Sequence, residues 1–471
     1  MTLRRPARIM VLGAGGREHA LAWKLVGESG VQAVWVAPGS AGIASDGRIG
    51  VLPAVDPLDG PGVVDAARAQ SADLVVIGPE APLAAGVADV LRAAGIPVFG
   101  PGAAAARIET SKAFCHEIAA AAGVRMARSG AFARHDEALA FARELARPAH
   151  GGVVIKADGL AAGKGVTVCD AIEQAALALE AIFAIPAPAG EPDDSPRVVV
   201  EERLYGPEAS LIALCDGRDA LALPPARDHK RLLDGDLGPN TGGMGAYSPL
   251  IDLPDDRAEA LVATVHRPIL AELARRGIPF IGALYAGLIL TDDGPVLLEC
   301  NARFGDPETQ VLLPRLAGDL APLLLAAAEG RLAEAGIAAG IPGAMLPSRP
   351  EAAVGIVLAA EGYPVAPKQG DPIAGIRFAE QAGGLVFHAG TSPLGDDRFQ
   401  TAGGRILAVV ALGPDLPAAR LNAERCAERV GFRGLQRRND IAAIVAGSSA
   451  SGAAPLDGPP PGATISLGAS R

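Results

Sequence analysis

A carboxylate and an amide stand two residues apart at the end of a short apolar run, where side chains of these types can bind a cation. The run 296–298 predicts a strand, and Glu299 and Asn301 follow it. Side chains two apart on a strand share one face, so both oxygens can converge on a hard cation such as Mg²⁺ or Mn²⁺. Arg303, next on that face, offers a planar guanidinium to an anion. Such a pair of sites suits a nucleoside triphosphate, although a surface turn whose charges pair with each other is the alternative.

Residues 156–165 combine three glycines with two lysines, and β-rich runs flank them on both sides. The segment does not fit a P-loop, because Asp158 and Gly165 stand where that motif needs other residues and because a strand follows it. It predicts a hairpin flap whose backbone amides close over phosphates, with Lys156 fixed at the end of the first strand. A mobile surface loop without a ligand is the alternative.

The segment 228–247 has neither helical nor strand periodicity, which predicts a long functional loop. It lacks the low-hydrophobicity repeat of a linker. Its run 242–245, Gly-Gly-Met-Gly, permits close approach of the backbone to a ligand. We therefore expect this segment to contact a substrate.

Near the N-terminus, a predicted strand at 8–12 leads through a glycine-rich turn into a predicted helix at 20–26. Glu18 occupies the third glycine position of a dinucleotide fingerprint, so NAD binding is not expected. A glycine turn at a helix start is an anion site, and Arg17 strengthens it. This turn predicts a pocket for the phosphate of a sugar phosphate, with a tight turn that binds nothing as the alternative.

Further strands at 74–77 and 97–99 complete a predicted parallel sheet with crossover helices. Glu80 follows the first of these strands at its carboxyl end, where ligands bind in such sheets. It is a candidate for contact with sugar hydroxyls, and a plain helix start is the alternative. Later runs predict a strand at 286–290 and a helix at 317–328.

Together these segments resemble the phosphoribosylamine–glycine ligase (glycinamide ribonucleotide synthetase) family, ATP-grasp enzymes of purine biosynthesis. The resemblance spans nearly the whole chain, and its motifs fall in the family's order. They are Gly-Gly-Arg-Glu-His-Ala at 15–20, Gly-Pro-Glu-Ala-Pro-Leu at 78–83, Ile-Lys-Ala-Asp-Gly-Leu-Ala-Ala-Gly-Lys-Gly-Val at 155–166, Gly-Pro-Asn-Thr-Gly-Gly-Met-Gly-Ala-Tyr at 238–247 and Arg-Phe-Gly-Asp-Pro-Glu at 303–308.

The resemblance implies an α/β fold of three domains. We expect an N-terminal parallel-sheet domain at 1–107, similar to that of biotin carboxylase, which binds phosphoribosylamine. We expect an ATP-grasp domain at 108–333, with an inserted flap subdomain at about 128–197, and a small C-terminal α/β domain at 334–445. The Ser-, Gly- and Pro-rich tail at 446–471 cannot bury a core and is expected to be disordered.

The motifs and the resemblance together give the candidate site residues. Lys156 and Arg303 are assigned to catalysis, and Glu299 and Asn301 to the metal. The candidates for binding ATP are Lys112, Lys156, Gly163, Lys164, Glu201, Leu204 and Glu208. The candidates for binding the other substrates are Gly15, Gly16, Arg17, Glu80, Lys230, Arg231, Thr241, Gly242, Gly243 and Asp306. In this set the resemblance places Glu201 and Leu204 near the base and Glu208 near the ribose.

The activity implied by the resemblance is the ATP-dependent ligation of glycine to 5-phosphoribosylamine through a glycyl phosphate. Its products would be glycinamide ribonucleotide, ADP and phosphate, in the second step of de novo purine biosynthesis. One alternative is another ATP-grasp ligase or carboxylase that acts on a different ribonucleotide or on bicarbonate. A nucleotide-binding module without turnover is the other.

Bulk properties favour a soluble, cytoplasmic enzyme whose partners are small molecules. A monomer is expected, but no feature of the sequence determines the oligomeric state. The net charge of −11 opposes nucleic-acid binding. The 49% of hydrophobic residues reflects many alanines, and the apolar run at 9–13 is too short for a signal or a membrane span. Five widely spaced cysteines without a C-x-x-C motif predict reduced, buried thiols rather than disulfides or a zinc site. His388 is expected to be a core or loop histidine, with a catalytic role as the alternative.

Overall fold

The N-terminal part of the protein is a five-stranded parallel sheet with helices between its strands. The computed structural model describes residues 3–146, 151–159, 165–185, 195–395 and 398–443. The first elements are β1 (Arg8–Gly13), α1 (Gly16–Val26), β2 (Ala33–Pro38), α2 (Ala41–Ala44), β3 (Ile49–Val51), α3 (Gly60–Ala69), β4 (Leu74–Ile77), α4 (Glu80–Ala84), α5 (Val87–Ala93), β5 (Val98–Phe99) and α6 (Ala103–Thr110). The strand order β3-β2-β1-β4-β5 confirms the predicted parallel sheet. Because the order reverses between β1 and β4, a crevice opens at their carboxyl ends.

The prediction that α1 begins at residue 20 is wrong, because the helix begins at Gly16. The Gly15 N–H donates to Glu18 Oε2 at 2.7 Å, so a side chain of the first turn satisfies an amide that has no partner within the helix. The polar residues of this turn carry no apolar periodicity, which is why the sequence pattern gave a later start.

Residues 112–202 contain a four-stranded antiparallel sheet covered by helices. Its elements are α7 (Lys112–Ala121), β6 (Ser129–Phe132), α8 (His135–Leu145), β7 (Val153–Ala157), β8 (Val166–Cys169), α9 (Ile172–Ala184) and β9 (Val198–Glu202). The strand order is β6-β9-β7-β8, and the pairing of β7 with β8 confirms the predicted hairpin. Ile155 and Val200 of the sheet and Leu179 of α9 belong to a core that this part forms on its own. Gly163 and Lys164 lie outside the described residues.

A second antiparallel sheet carries the predicted metal ligands. The elements of this part are β10 (Glu208–Asp216), β11 (Ala220–Ala222), β12 (Arg227–Asp228), β13 (Arg231–Leu233), β14 (Leu237–Asn240), β15 (Gly245–Ser248), α10 (Asp255–Leu261), α11 (Arg267–Arg275), β16 (Ile281–Thr291), β17 (Gly294–Asn301), α12 (Glu308–Leu312), α13 (Ala321–Ala328) and α14 (Leu332–Ala338). The sheet has the order β11-β10-β16-β17, and Glu299 and Asn301 end its edge strand β17.

Two expectations for this part are wrong. The segment 228–247 is not an irregular loop, since most of it forms the short strands β12 to β15. Strands of two to four residues are too short to show an alternating pattern. The helix expected at 317–328 begins at Ala321, because Glu28, distant in sequence, accepts the N–H groups of Leu320 and Ala321 at 2.7 Å each.

The C-terminal part contributes a further sheet that the predicted domain boundary divides. Its elements are β18 (Ala352–Ala359), β19 (Pro372–Ile373), α15 (Ile376–Gln381), β20 (Leu385–His388), β21 (Thr391–Pro393), β22 (Phe399–Thr401), β23 (Arg405–Gly413) and α16 (Leu416–Ala427). The five-stranded order is β12-β15-β18-β23-β20, so two strands from before residue 334 complete it. The hairpin β13–β14, which lies between these two strands in sequence, is therefore tied to the C-terminal sheet.

None of the described helices is long and apolar enough to cross a membrane. All five cysteines are free and buried, as the sequence predicted. His388 is also buried, and its backbone N–H donates to His19 Nδ1 at 2.9 Å, where the N-terminal helix α1 meets β20. Of the two structural placements expected for His388, core or loop, the structure shows the core.

Candidate active site

A single cleft of about 1360 Å³ collects side chains from every part of the fold. Arg17 and Glu80 come from the carboxyl ends of β1 and β4, and Lys156 comes from the flap hairpin. Glu299 comes from the edge strand β17, and Arg405 from the first residue of β23. The cleft thus lies where the N-terminal crevice, the flap and the C-terminal sheet face one another.

The end of β17 presents Glu299 and Asn301 to this cleft. The Glu299 carboxylate faces the ammonium groups of Lys230 and Lys112, each 3.9 Å away. Burial alone would raise the pKa of Glu299, but these two lysines, with Lys156, lower it to about 2. The distances of 3.9 Å are too long for hydrogen bonds, so the charged oxygens remain accessible to another cation. A carboxylate held ionised beside an amide oxygen fits a hard divalent cation.

Lys156 is fixed at the end of β7 by two acceptors. Its Nζ donates to the carbonyl of Leu298 at 2.9 Å and lies 2.8 Å from Glu201 Oε1. The same carboxylate oxygen lies 2.7 Å from His116 Nε2. The resemblance places Glu201 near the nucleotide base, but here this oxygen is committed to Lys156 and His116.

Arg303 lies between two carboxylates, at 3.1 Å from Glu109 and 3.5 Å from Glu80. Burial alone would lower the pKa of Arg303, but Glu109 and Glu80 raise it overall. Glu109 also accepts the N–H of Ala302 at 2.7 Å, which fixes the backbone just before Arg303. The sequence analysis missed Glu109, because a lone carboxylate in an alanine-rich helix carries no motif.

Arg17 is buried at the start of α1 and turns into the cleft. Its Nε donates to Glu18 Oε1 at 2.6 Å, and its Nη1 donates to the carbonyl of Phe304 at 3.2 Å. Glu18 also accepts the Gly15 amide, so that amide is already paired. In this turn it is therefore the guanidinium of Arg17 that can meet an anionic ligand, rather than the amide of Gly15.

Arg405 joins the segments that contain Gly242 and Asp306 to β23, at a wall of the cleft. It donates to the carbonyl of Gly242 at 2.5 Å, to the carbonyl of Asp306 at 2.7 Å and to Asp306 Oδ2 at 2.8 Å. The Tyr363 hydroxyl accepts the Gly242 N–H at 2.9 Å, and the Thr241 hydroxyl accepts the Gly243 N–H at 3.0 Å. No sequence motif points to Arg405, because its partners are distant in sequence.

The side wall carries further charges. Lys230 Nζ lies 2.8 Å from Glu208, and Arg231 donates to the carbonyl of Gly238 at 2.8 Å. Burial first, and then the carboxylates around it, raise the pKa of Asp228. The Lys230 ammonium opposes that shift, because it is the counterion that Asp228 shares with Glu208 and Glu299.

Most of the candidate residues therefore meet in one place. Those that line the cleft are Arg17, Glu80, Lys112, Lys156, Glu201, Leu204, Glu208, Lys230, Arg231, Thr241, Gly242, Glu299, Asn301, Arg303 and Asp306. Gly15, Gly16 and Gly243 are chain neighbours of lining residues and do not line the cleft themselves. Gly163 and Lys164 belong to the flap segment outside the described residues.

The chain is similar to known proteins over nearly its whole length. Models of the phosphoribosylglycinamide synthetase N domain, ATP-grasp (A) domain and C domain match residues 7–109, 110–309 and 353–444. A phosphoribosylamine–glycine ligase of Streptomyces coelicolor is 48% identical over 446 residues, 94% of this chain and 100% of that protein. The same enzyme of Leifsonia xyli is 47% identical over 93% of this chain and 99% of that protein.

The fold is shared with solved structures. The crystal structure of phosphoribosylamine–glycine ligase from Thermotoga maritima has a TM-score of 0.73 at 32% identity, covering 92% of this chain and 100% of that chain. A biotin carboxylase complex from Campylobacter jejuni has a TM-score of 0.63 at 16% identity, covering 92% of this chain and 93% of that chain, and shows a common fold alone. These likenesses confirm the expected α/β architecture with a biotin-carboxylase-like N-terminal domain.

Proposed function

The chain belongs to the phosphoribosylglycinamide synthetase family, and we propose that it joins glycine to 5-phosphoribosylamine while ATP is split to ADP and phosphate. The product is glycinamide ribonucleotide, formed in the second step of de novo purine biosynthesis. The observation that carries the proposal is that Glu299, Asn301, Lys156 and Arg303 line one cleft together with Arg17. The likeness to carboxylases supports the fold only, so a carboxylase activity is not proposed.

The reaction has to activate a poor electrophile. A glycine carboxylate oxygen attacks the γ-phosphorus of ATP, the bond to the β-phosphate oxygen breaks, and ADP leaves. The amine of 5-phosphoribosylamine then attacks the carbonyl carbon of glycyl phosphate, the C–O bond breaks, and phosphate leaves with the bridging oxygen. A divalent cation, Mg²⁺ or Mn²⁺, held by Glu299 and Asn301 would neutralise phosphate charge during the transfer.

Two fixed cations of the protein face the phosphates. Lys156 is anchored by Leu298 and Glu201, which leaves it one N–H for a ligand. Arg303 is anchored by Glu109 and Glu80 on one side and lines the cleft on the other. Preorganised donors of this kind stabilise the transferring phosphoryl group without having to move during the reaction. A hydrogen bond to such a charged group contributes roughly 1.5–3 kcal/mol.

The sugar phosphate is proposed to bind at the N-terminal crevice. Arg17 provides the positive charge there, and Glu80, which follows β4, is held ionised beside it. Burial alone would raise the pKa of Glu80, but Arg303 and Arg17 lower it overall. An ionised carboxylate can accept hydrogen bonds from ribose hydroxyls. The hairpin β7–β8 would exclude water, which matters because glycyl phosphate hydrolyses readily.

The acyl phosphate is tested by isotope transfer. Glycine labelled with oxygen-18 in its carboxylate is turned over with ATP and 5-phosphoribosylamine, and the released phosphate is analysed by mass spectrometry. We expect one labelled oxygen per phosphate, because the bridging oxygen departs with phosphorus. Label in AMP with release of pyrophosphate, or unlabelled phosphate at full turnover, would eliminate the glycyl phosphate and the roles given to Lys156 and Arg303.

The same assay separates the ligase from a nucleotide-binding module, since only the ligase releases ADP when both glycine and 5-phosphoribosylamine are present. The monomeric state and the cytoplasmic location expected from the sequence are part of this proposal. Sedimentation of the purified chain measures the first, and fractionation of cells that express it measures the second.

A further inference from the structure

A chain of hydrogen bonds behind the cleft ends at the Lys156 ammonium. Ser129 Oγ lies 2.9 Å from His116 Nδ1, and His116 Nε2 lies 2.7 Å from Glu201 Oε1. Glu201 Oε1 lies 2.8 Å from Lys156 Nζ. The Glu201 and Lys156 side chains are almost fully buried and that of His116 is mostly buried. Among these four residues, the sequence analysis had singled out only Glu201 and Lys156.

Strand register and helix periodicity place the members of this chain. Ser129 on β6 is paired directly with Glu201 on β9. Lys156 on β7 is paired with Val199, two residues before Glu201, so the two side chains are diagonal neighbours on one face. His116 follows Lys112 by one helical turn on α7, so the two side chains share one face of that helix. Three strands and one helix thus converge on the carboxylate of Glu201.

The donors and acceptors in this chain are matched. An ionised carboxylate only accepts hydrogen bonds. His116 Nε2 therefore carries a hydrogen and donates a hydrogen bond to Glu201. In the neutral ring Nδ1 is then an acceptor, and the Ser129 hydroxyl donates to it. Burial alone would raise the pKa of Glu201, but Lys156 and His116 lower it overall. The carboxylate therefore stays charged and can hold the ammonium of Lys156 on its four-carbon stem.

We propose that His116, oriented by Ser129, is a positioning residue that fixes Glu201 and thereby holds the Lys156 ammonium toward the phosphates of the nucleotide. Without His116 the carboxylate keeps one partner only and can rotate. The Leu298 carbonyl is then the one fixed acceptor of the Lys156 ammonium, which keeps its charge but is held less firmly in direction. The effect falls on ATP, because Lys156 faces the phosphates, and leaves the sites of Arg17 and Arg405 intact.

This inference rests on the proposed function for its kinetic readout but has a binding readout of its own. The variants are His116→Ala, His116→Leu and Ser129→Ala, with His116→Gln as the conservative replacement. A glutamine amide can donate to Glu201 and accept from Ser129 in the same way. Glu117→Gln is the matched control, since Glu117 is the next residue on α7 and its exposed side chain pairs with Arg276. The measurements are the Kd of ATP with Mg²⁺ by calorimetry, the KM of each substrate and the Tm.

We expect His116→Ala and His116→Leu to weaken ATP binding roughly tenfold, as for the loss of a hydrogen bond to a charged group. His116→Gln should recover most of that loss, Ser129→Ala should show a smaller loss, and KM for 5-phosphoribosylamine should stay near that of Glu117→Gln. The inference is overturned if His116→Ala binds ATP as Glu117→Gln does, or if His116→Gln is no better than His116→Leu. An equal rise in the KM of every substrate, together with a lower Tm, would show that His116 has a structural role only. A wild-type chain that binds ATP but releases no glycine-dependent ADP would count against the proposed function instead.

Discussion

Replacing Arg405 by methionine should separate the C-terminal sheet from the wall of the cleft. Methionine fills much of the same space but cannot donate to Gly242 or Asp306. The Arg405 and Asp306 side chains are only 21% and 20% exposed, so their ion pair is largely shielded from water. Removing one partner of a buried pair costs about 3–5 kcal/mol, and the partial exposure favours the lower end, near about 3 kcal/mol.

The loss can appear in unfolding and in substrate binding, so both are measured. We expect the free energy of unfolding in urea to fall by about 3 kcal/mol. In a double-mutant cycle with Asp306→Asn, the second substitution should add little, because the pair is already broken. Because Gly242 and Asp306 line the cleft, we also expect kcat/KM for 5-phosphoribosylamine or glycine to fall by more than about tenfold. The Kd of ATP should stay unchanged.

Arg134→Met is the matched control, because the side chains of Arg134 and its partner Asp136 are 67% and 69% exposed. Such a pair contributes at most about 1 kcal/mol. Additive effects of Arg405→Met and Asp306→Asn, or a loss no larger than that of Arg134→Met, would refute the idea that Arg405 holds this wall together.

Three further changes test other parts of the site. Glu299→Gln should raise the Mg²⁺ concentration for half-maximal velocity more than about tenfold with an unchanged circular dichroism spectrum, and a normal Mg²⁺ response would remove Glu299 from the metal site. Arg17→Met should raise KM for 5-phosphoribosylamine and spare KM for ATP, whereas an unchanged KM would move the sugar phosphate elsewhere. Burial lowers the pKa of His388 from 6.5 to about 3, so the unfolded chain takes up its proton first and stability falls as pH drops below 6.5. His388→Gln should flatten that fall by about 1.4 kcal/mol per pH unit between pH 6 and 4.5, measured by urea unfolding, and an unchanged slope would contradict it.

Local sequence determined those parts of the protein in which chemistry and periodicity coincide. The hairpin around Lys156 was predictable because two β-rich runs flank glycines, and the structure pairs them as β7 and β8. The strand that carries the proposed metal ligands was predictable because an apolar run ends in Glu299 and Asn301, whose spacing places them on one face whatever surrounds them. These features depend on residues only a few positions apart.

Tertiary structure decided which distant groups complete the site. Glu109 forms an ion pair with Arg303, which lies 194 residues later in the sequence. His116 is hydrogen-bonded to Glu201, and Arg405 donates to the carbonyl of Gly242. The strands β12 and β15 join the C-terminal sheet, and Glu28 sets the start of α13. Periodicity reports only how a segment alternates between core and solvent. It carries no information about which distant donor the packed fold will bring to a given carbonyl or carboxylate. That pairing is decided only on folding, when buried polar groups must find hydrogen-bond partners.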